Sequence, residues 1–254
     1  MPLLLAVHGG ESSVGAILAP GNPALWFRAD TIVGTTGVGL ATWTNIGGSG
    51  GNNAAQTTVS ERPVLQGNVQ NGKQALQFTS ESSQFLRCST SVFSSKGTRH
   101  IFAAFAGAAS GVNQVNSIAG QTSGDVANVW FQMQSRTNIG SSGTPYLAGY
   151  GNDLGGTDFT TEWAIGYIGF SSVTSRAELW KNGSKISSGE KGTLNTIDSD
   201  FAIGTAFAAA REYHGGYIGE VLVYTLALTS AQIEAIFEEM CDRWGITYTT
   251  AATT

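Results

Sequence analysis

The chain has 254 residues, enough for one large core that buries about 70% of the unfolded surface without any disulfide. Charged residues make up only 12% and the net charge is −5, which excludes the basic excess that phosphate-driven nucleic-acid binding needs. Hydrophobic residues at 41% exclude a disordered chain, and 34 glycines with few long charged side chains exclude a mainly helical one.

Met1-Pro2-Leu3-Leu4-Leu5-Ala6-Val7 opens the chain. It is apolar, but no Lys or Arg precedes it, and His8, two glycines and Glu11 interrupt it. A secretory signal needs a basic start and a longer apolar run. Residues 1–22 therefore read as an arm that either packs on a partner subunit or frays. No uncharged apolar run of roughly 18 residues occurs, so no membrane helix is expected.

Short runs rich in apolar, aromatic or β-branched residues follow at 24–28, 40–45, 74–79, 84–88, 99–106, 114–119, 128–134, 145–149, 162–170, 176–181, 201–204 and 216–224. Gly, Asn, Ser, Asp and Thr clusters separate them. This spacing predicts an all-β sandwich or barrel. Residues 176–187 read as a hairpin, because Asn182-Gly183 supplies the two positive-φ residues of a type I′ turn. Tyr217 to Tyr224 is the strongest strand. Val221 and Val223 share one face, Leu222 and Tyr224 the other, so it belongs near the centre of the fold. Gly219 inside it predicts a bulge or a close backbone approach.

One helix is legible. Thr229 and Gln232 form a capping box, and Ile233, Ile236, Phe237, Met240 and Trp244 make one apolar stripe. Gly245 then stops it. Residues 23–246 read as one domain and 247–254 as a polar tail that frays. Cys88 and Cys241 have no CxxC spacing and read as small buried hydrophobes.

Four stretches resemble a known family. Pro23 to Asp30 resembles an opening "aLWLdAD" strand, and Trp43 to Gly47 with Asn52-Asn53-Ala54 resembles a "W-D-lSGnGNdA" segment. Asn71 to Phe78 resembles "NGkpAlrFdG". Gly216 to Tyr224, continuing through Leu226 and Leu228 to Trp244-Gly245, resembles "G-x-IgEvivYdraLs" followed by a helix and "KWGI". Together these are similar to the laminin-G-like domains of the concanavalin A-like lectin/glucanase superfamily. The resemblance implies a two-sheet antiparallel jelly-roll sandwich with one C-terminal amphipathic helix. Asn45, Thr79-Ser80 and Thr225 stand where that family favours Asp, Asp-Gly and Asp.

Glucanase chemistry needs two carboxyl groups flanking the scissile bond, and the retaining members carry them as E-x-D-x-x-E or E-x-D-x-E on one strand. Neither pattern occurs here. Glu220 and Glu178 stand alone, and Glu220 reads as a structural carboxylate accepting backbone hydrogen bonds beside Gly219. His8, His100 and His214 are scattered without ligand spacing. No enzyme activity is therefore expected, and no cofactor. For calcium the best candidate loop is Asn152 to Asp158, with Gly124-Asp125 and Asp198-Ser199-Asp200 as others, and each reads more readily as a turn in which Asp or Asn bonds its own backbone.

For a sugar the useful groups are exposed rings beside amides and carboxylates. Tyr146, Tyr150, Asn152 and Asp153 form one such set in a glycine-rich stretch. Trp130 and Gln132 share a face of one strand with Gln134. Tyr213 lies in a polar-aromatic loop with Arg211 and His214.

Two functional expectations follow. The first is a non-enzymatic bacteriophage virion-surface protein (a decoration, head-fibre or tail-associated protein). Its lectin-like domain would meet host or environmental glycans, and its arm, 1–22, would dock other virion or capsid subunits. The alternative is a carbohydrate-binding module of a secreted bacterial protein. Expected partners are glycans and further copies in a homo-oligomer, with no nucleic acid and no membrane.

Overall fold

The computed structural model describes residues 21–48, 50–93, 96–107, 115–122, 130–136, 144–148, 153–155, 162–192, 194–196, 199–206 and 212–249. Among them, the strands form two antiparallel sheets of eight. The first sheet contains β1 (Leu25–Arg28), β4 (Val64–Gln70), β5 (Lys73–Phe78), β7 (Arg99–Gly107), β12 (Ala164–Ser171), β13 (Arg176–Lys181), β14 (Ser184–Glu190) and β16 (Gly216–Tyr224). The second contains β2 (Thr42–Trp43), β3 (Ala54–Ala55), β6 (Leu86–Cys88), β8 (Val115–Gln121), β9 (Phe131–Arg136), β10 (Thr144–Ala148), β11 (Leu154–Gly155) and β15 (Phe201–Ile203). Their orders are β14-β13-β12-β7-β16-β5-β4 and β11-β10-β9-β8-β15-β6-β3-β2. β16 is central as expected. β7 pairs along one of its edges, while β5 and then β1 share the other.

The fold is the expected jelly-roll sandwich, and alternation explains it. Val221 and Val223 enter the core between the sheets, with Phe27, Phe105, Phe131 and Phe201. Leu222 and Tyr224 face the opposite way and meet the helix α1 (Ser230–Trp244). Ile233, Ile236, Phe237, Met240 and Trp244 are all buried against that outer face. Both halves of the capping box form, and Gly245 takes φ +62°. Gly219 provides both features expected of it. The β16 register shifts there, and a Cβ at this position would lie 2.3 Å from Trp244.

Glu220 lies behind the helix, fully buried. It accepts from Trp26 Nε1 at 2.7 Å, Trp244 Nε1 at 2.8 Å and Arg243 Nη1 at 2.8 Å. Arg243 Nη2 donates to Glu239 at 2.6 Å. The carboxylate is structural, but side chains satisfy it where backbone groups were expected. It ties β1, β16 and α1 together.

Asn182 and Gly183 have φ +50° and +93°, as the hairpin requires. Tyr248 packs over Gly183, and Thr249 N donates to Asn182 O at 2.7 Å. The first residues after the helix, in the stretch expected to fray, are thus held on this turn. Asn45 Oδ1 accepts from Trp26 N and Gly47 N at 2.8 and 3.0 Å and so holds the turn after β2 against β1. Cys88 and Cys241 are free and buried in different clusters.

Candidate functional site

At one end of the first sheet, β5 and β7 finish where β16 begins. A shallow depression of about 230 Å³ opens there. Gly216 is the register partner of both Phe78 and Gly107, and with Gly215 these glycines present backbone and no side chain. Gly216 has φ +129°, where glycine alone is comfortable. Gly107 is different. A Cβ added there would meet nothing within 4 Å.

The rim is polar. Thr79 leaves β5 for a 3-10 turn, Ser80–Ser82, ended by Ser83 at φ +52°. Gln84 Oε1 accepts from Thr79 N at 2.7 Å and anchors the turn. The turn holds Glu81 in solvent at the mouth. Gln77 Oε1 accepts from Gln66 Nε2 at 2.8 Å, which orients the Gln77 amide and leaves its N–H donors uncommitted among the described residues. Tyr217 is the register partner of Gln77 and shares its face. Its half-buried ring stacks on Trp163 at 6.2 Å, and Trp163 stacks on Trp244 at 5.3 Å. The depression therefore offers a fixed ring, amide donors, a carboxylate, two hydroxyls and bare backbone. Such a set suits a small ligand with one apolar face and many hydroxyls.

His214 lies just before the glycines of the depression. It is fully buried, edge-on to Phe78 with ring centroids 5.9 Å apart. Neither ring nitrogen meets a hydrogen-bond partner at good geometry. Burial pushes its pKa down to about 4, against a smaller opposing pull from the backbones of Tyr217 and Ala106. The imidazole is neutral near pH 7 and fills space. Asn116 Oδ1 accepts from Gly215 N at 3.0 Å and ties this segment to the second sheet.

Of the residues expected to bind ligand, Tyr213 falls beside this region. It is partly exposed, with its ring centroid 6.4 Å from that of Phe85. Trp130, Gln132 and Gln134 lie on the face of the second sheet turned from the core, as their alternation implies. All three are buried, at 2%, 0% and 0% exposure. Trp130 packs with Ala148 and Ala206. Gly120 makes room for Gln132, since a Cβ there would lie 2.7 Å from Gln132 Oε1. Gln134 Nε2 donates to Ser117 Oγ at 3.2 Å and Glu212 Oε2 at 2.6 Å. The backbone oxygen of Asp153 accepts from Lys191 Nζ at 2.7 Å. Tyr146 pairs through its backbone with Gln134 and Gly155, while its side chain, Tyr150 and Asn152 lie outside the described residues. Most of the candidate calcium loop lies outside them too, as do Gly124-Asp125 and Asp198. Among the described residues, no three His, Cys, Asp or Glu side chains gather to hold a metal.

Sequence reasoning missed Gln77, Glu81, Gly107 and Tyr217 as neighbours. Tyr217 read as the start of a strand, and nothing local to Gly107 signals a ligand. One trace existed: Thr79-Ser80 replaces the family's Asp-Gly where the rim turn begins.

Glu220 and Glu178, the two carboxylates that stood alone in the sequence, are each engaged by neighbouring side chains. Glu220 and Glu239 both bond Arg243, and burial keeps Glu220 from any substrate. Glu178 takes Lys185 at 2.7 Å and Trp180 Nε1 at 3.1 Å. His100 Nδ1 meets Tyr167 Oη at 2.8 Å in the interior, where burial lowers its pKa to about 4. Arg99 is fully buried between Phe131 and Phe170, 5.1 Å from each ring, and its guanidinium nitrogens have no hydrogen-bond partner. It opens β7, whose other end is Gly107. About 26 Å of strand separates this cation from the depression.

No family model and no curated protein matches the sequence. Solved structures do resemble the fold. The binding domain of botulinum neurotoxin serotype D matches with a TM-score of 0.57 at 12% identity, over 89% of this chain and 54% of that one. The present chain thus spans about half of that domain's length. The CBM40 of a Ruminococcus gnavus sialidase, bound to α2,3-sialyllactose, matches with a TM-score of 0.44 at 13% identity, over 60% of this chain and 95% of its own. Domain 4 of an extracellular GH43 arabinanase from Geobacillus stearothermophilus, in complex with arabinotriose, matches with a TM-score of 0.44 at 15% identity, over 83% and 84%. The likeness to the neurotoxin domain shows that this chain shares its β-sandwich fold.

Proposed function

We propose that the protein is a carbohydrate-binding domain of laminin-G-like type, which holds a glycan in the depression beside Tyr217 and performs no chemistry on it. The observation that carries this reading is the lining of that depression. An oriented ring, the Gln77 amide, the Glu81 carboxylate and the hydroxyls of Thr79 and Ser80 surround bare glycine backbone. The fold adds support, because a serotype D neurotoxin binding domain of similar fold, with a TM-score of 0.50, is seen in complex with N-acetylneuraminic acid. The module of a secreted protein is the setting this reading favours, with an extracellular place of action. A virion-surface setting adds docking through residues 1–22, and that part rests on the sequence alone, since residues 1–20 lie outside the described residues.

The test is a glycan array read with the wild type and Gly107→Leu. Gly107 lines the depression and a Cβ there would meet nothing within 4 Å, so leucine adds bulk at its edge while the sandwich folds. Binding by the wild type and its loss in the variant are expected. Glycan binding that survives in Gly107→Leu moves the site elsewhere, and no binding by either protein removes the reading.

A further inference from the structure

We infer that the depression selects neutral saccharides and rejects those carrying a carboxylate. This rests on the proposed glycan site and names the class of sugar it takes. Among the described residues that line the depression, Glu81 is the only charged one. It is exposed, it makes no ion pair among the described residues, and the turn Ser80–Ser82 fixes it at the mouth. Gln77 supplies donors, which serve a hydroxyl or an anion equally. The remaining lining is a ring, hydroxyls and backbone. Among the described residues, no guanidinium or ammonium lines the site to receive an acidic sugar. Such receptors are the usual partners of carboxylates, because charge-assisted hydrogen bonds are the strong ones. The buried Arg99 lies at the far end of β7 and cannot serve.

Geometry sets the sign and solvent sets the size. A ligand carboxylate held within about 4 Å of Glu81 in a water-like medium is repelled enough to weaken binding about fivefold. The same Glu81 oxygens accept hydrogen bonds from sugar hydroxyls, so a neutral ligand gains where an acidic one loses. The net formal charge of −5 adds to the bias at low salt.

The experiment uses matched pairs of neutral and sialic-acid-capped glycans, with the wild type, Glu81→Gln and Gly107→Leu. The neutral member of each bound pair is expected to bind at least fivefold more tightly to the wild type. The gap should widen as salt is lowered and close in Glu81→Gln. Equal or tighter binding of the sialylated member, abolished by Gly107→Leu, overturns the selectivity and leaves the site standing. A preference that Glu81→Gln does not change overturns the role of Glu81. Glycan binding that ignores Gly107→Leu, or no binding at all, overturns the site and the selectivity together.

Discussion

Arg99 shows how little a buried charge contributes when it is left alone. Two phenyl rings hold it by cation–π contact, worth about 1 kcal/mol each, but no acceptor meets its nitrogens. Desolvation pushes its pKa down to about 10. Removing the charge and keeping the volume should therefore cost nothing. Arg99→Met is expected to match or exceed wild-type stability in urea. A loss greater than about 1 kcal/mol would show that an acceptor reaches it. His100 and His214 act in the opposite sense. Each has a folded pKa near 4, mainly through burial, against about 6.5 when unfolded. The unfolded chain binds the proton first. Stability is full above pH 6.5, falls as the pH drops from 6.5 to 4, and then levels off for these groups. Each histidine removes about 3 kcal/mol across that window. Comparing denaturation at pH 7 and 4.5, His214→Leu should lose clearly less stability on acidification than the wild type. Identical acid losses would show that His214 finds a partner when charged.

Among the elements, α1 and β16 were legible because several independent signals agree there. Capping, stripe and stop residue coincide in the helix. In the strand, alternation puts Val221 and Val223 on one side and Leu222 and Tyr224 on the other. Thr229→Ala removes the hydroxyl that accepts from Gln232 N, leaving the bond from its own backbone N–H to Gln232 Oε1, and is expected to cost about 1 kcal/mol in thermal or urea unfolding. Gly219→Ala forces a methyl into Trp244 and should cost about 1–3 kcal/mol, with a change in tryptophan fluorescence as the indole moves. An unchanged melting curve would mean that the helix shifts freely. β4 was not legible. Gly67 and Asn68 interrupt its apolar pattern, and Asn68 at φ +54° lies where the pairing with β5 shifts register. The candidate site was hidden for a different reason. Its groups come from β5, β7 and β16, which are far apart in sequence, and only the sheet order brings them to one end. Trp130 and Gln132 were placed on their shared face correctly, but alternation carries no information about whether an outward face is open.

At the scale of the whole molecule, the described residues form one sandwich with a helix on one outer face. The interior between the sheets is closed by aromatic and aliphatic side chains, and the outer face of the first sheet is occupied largely by α1. Among the described residues, the strand ends of β5, β7 and β16 offer a surface where glycine backbone and a polar rim meet. The most direct test of a saccharide site there is a titration of the isotope-labelled protein with the glycan selected on the array, followed at the backbone amides. Saturable shifts concentrated at 77–81, 107 and 215–217 are predicted. Saturable shifts that leave these amides unmoved and gather elsewhere on the sandwich would contradict the account.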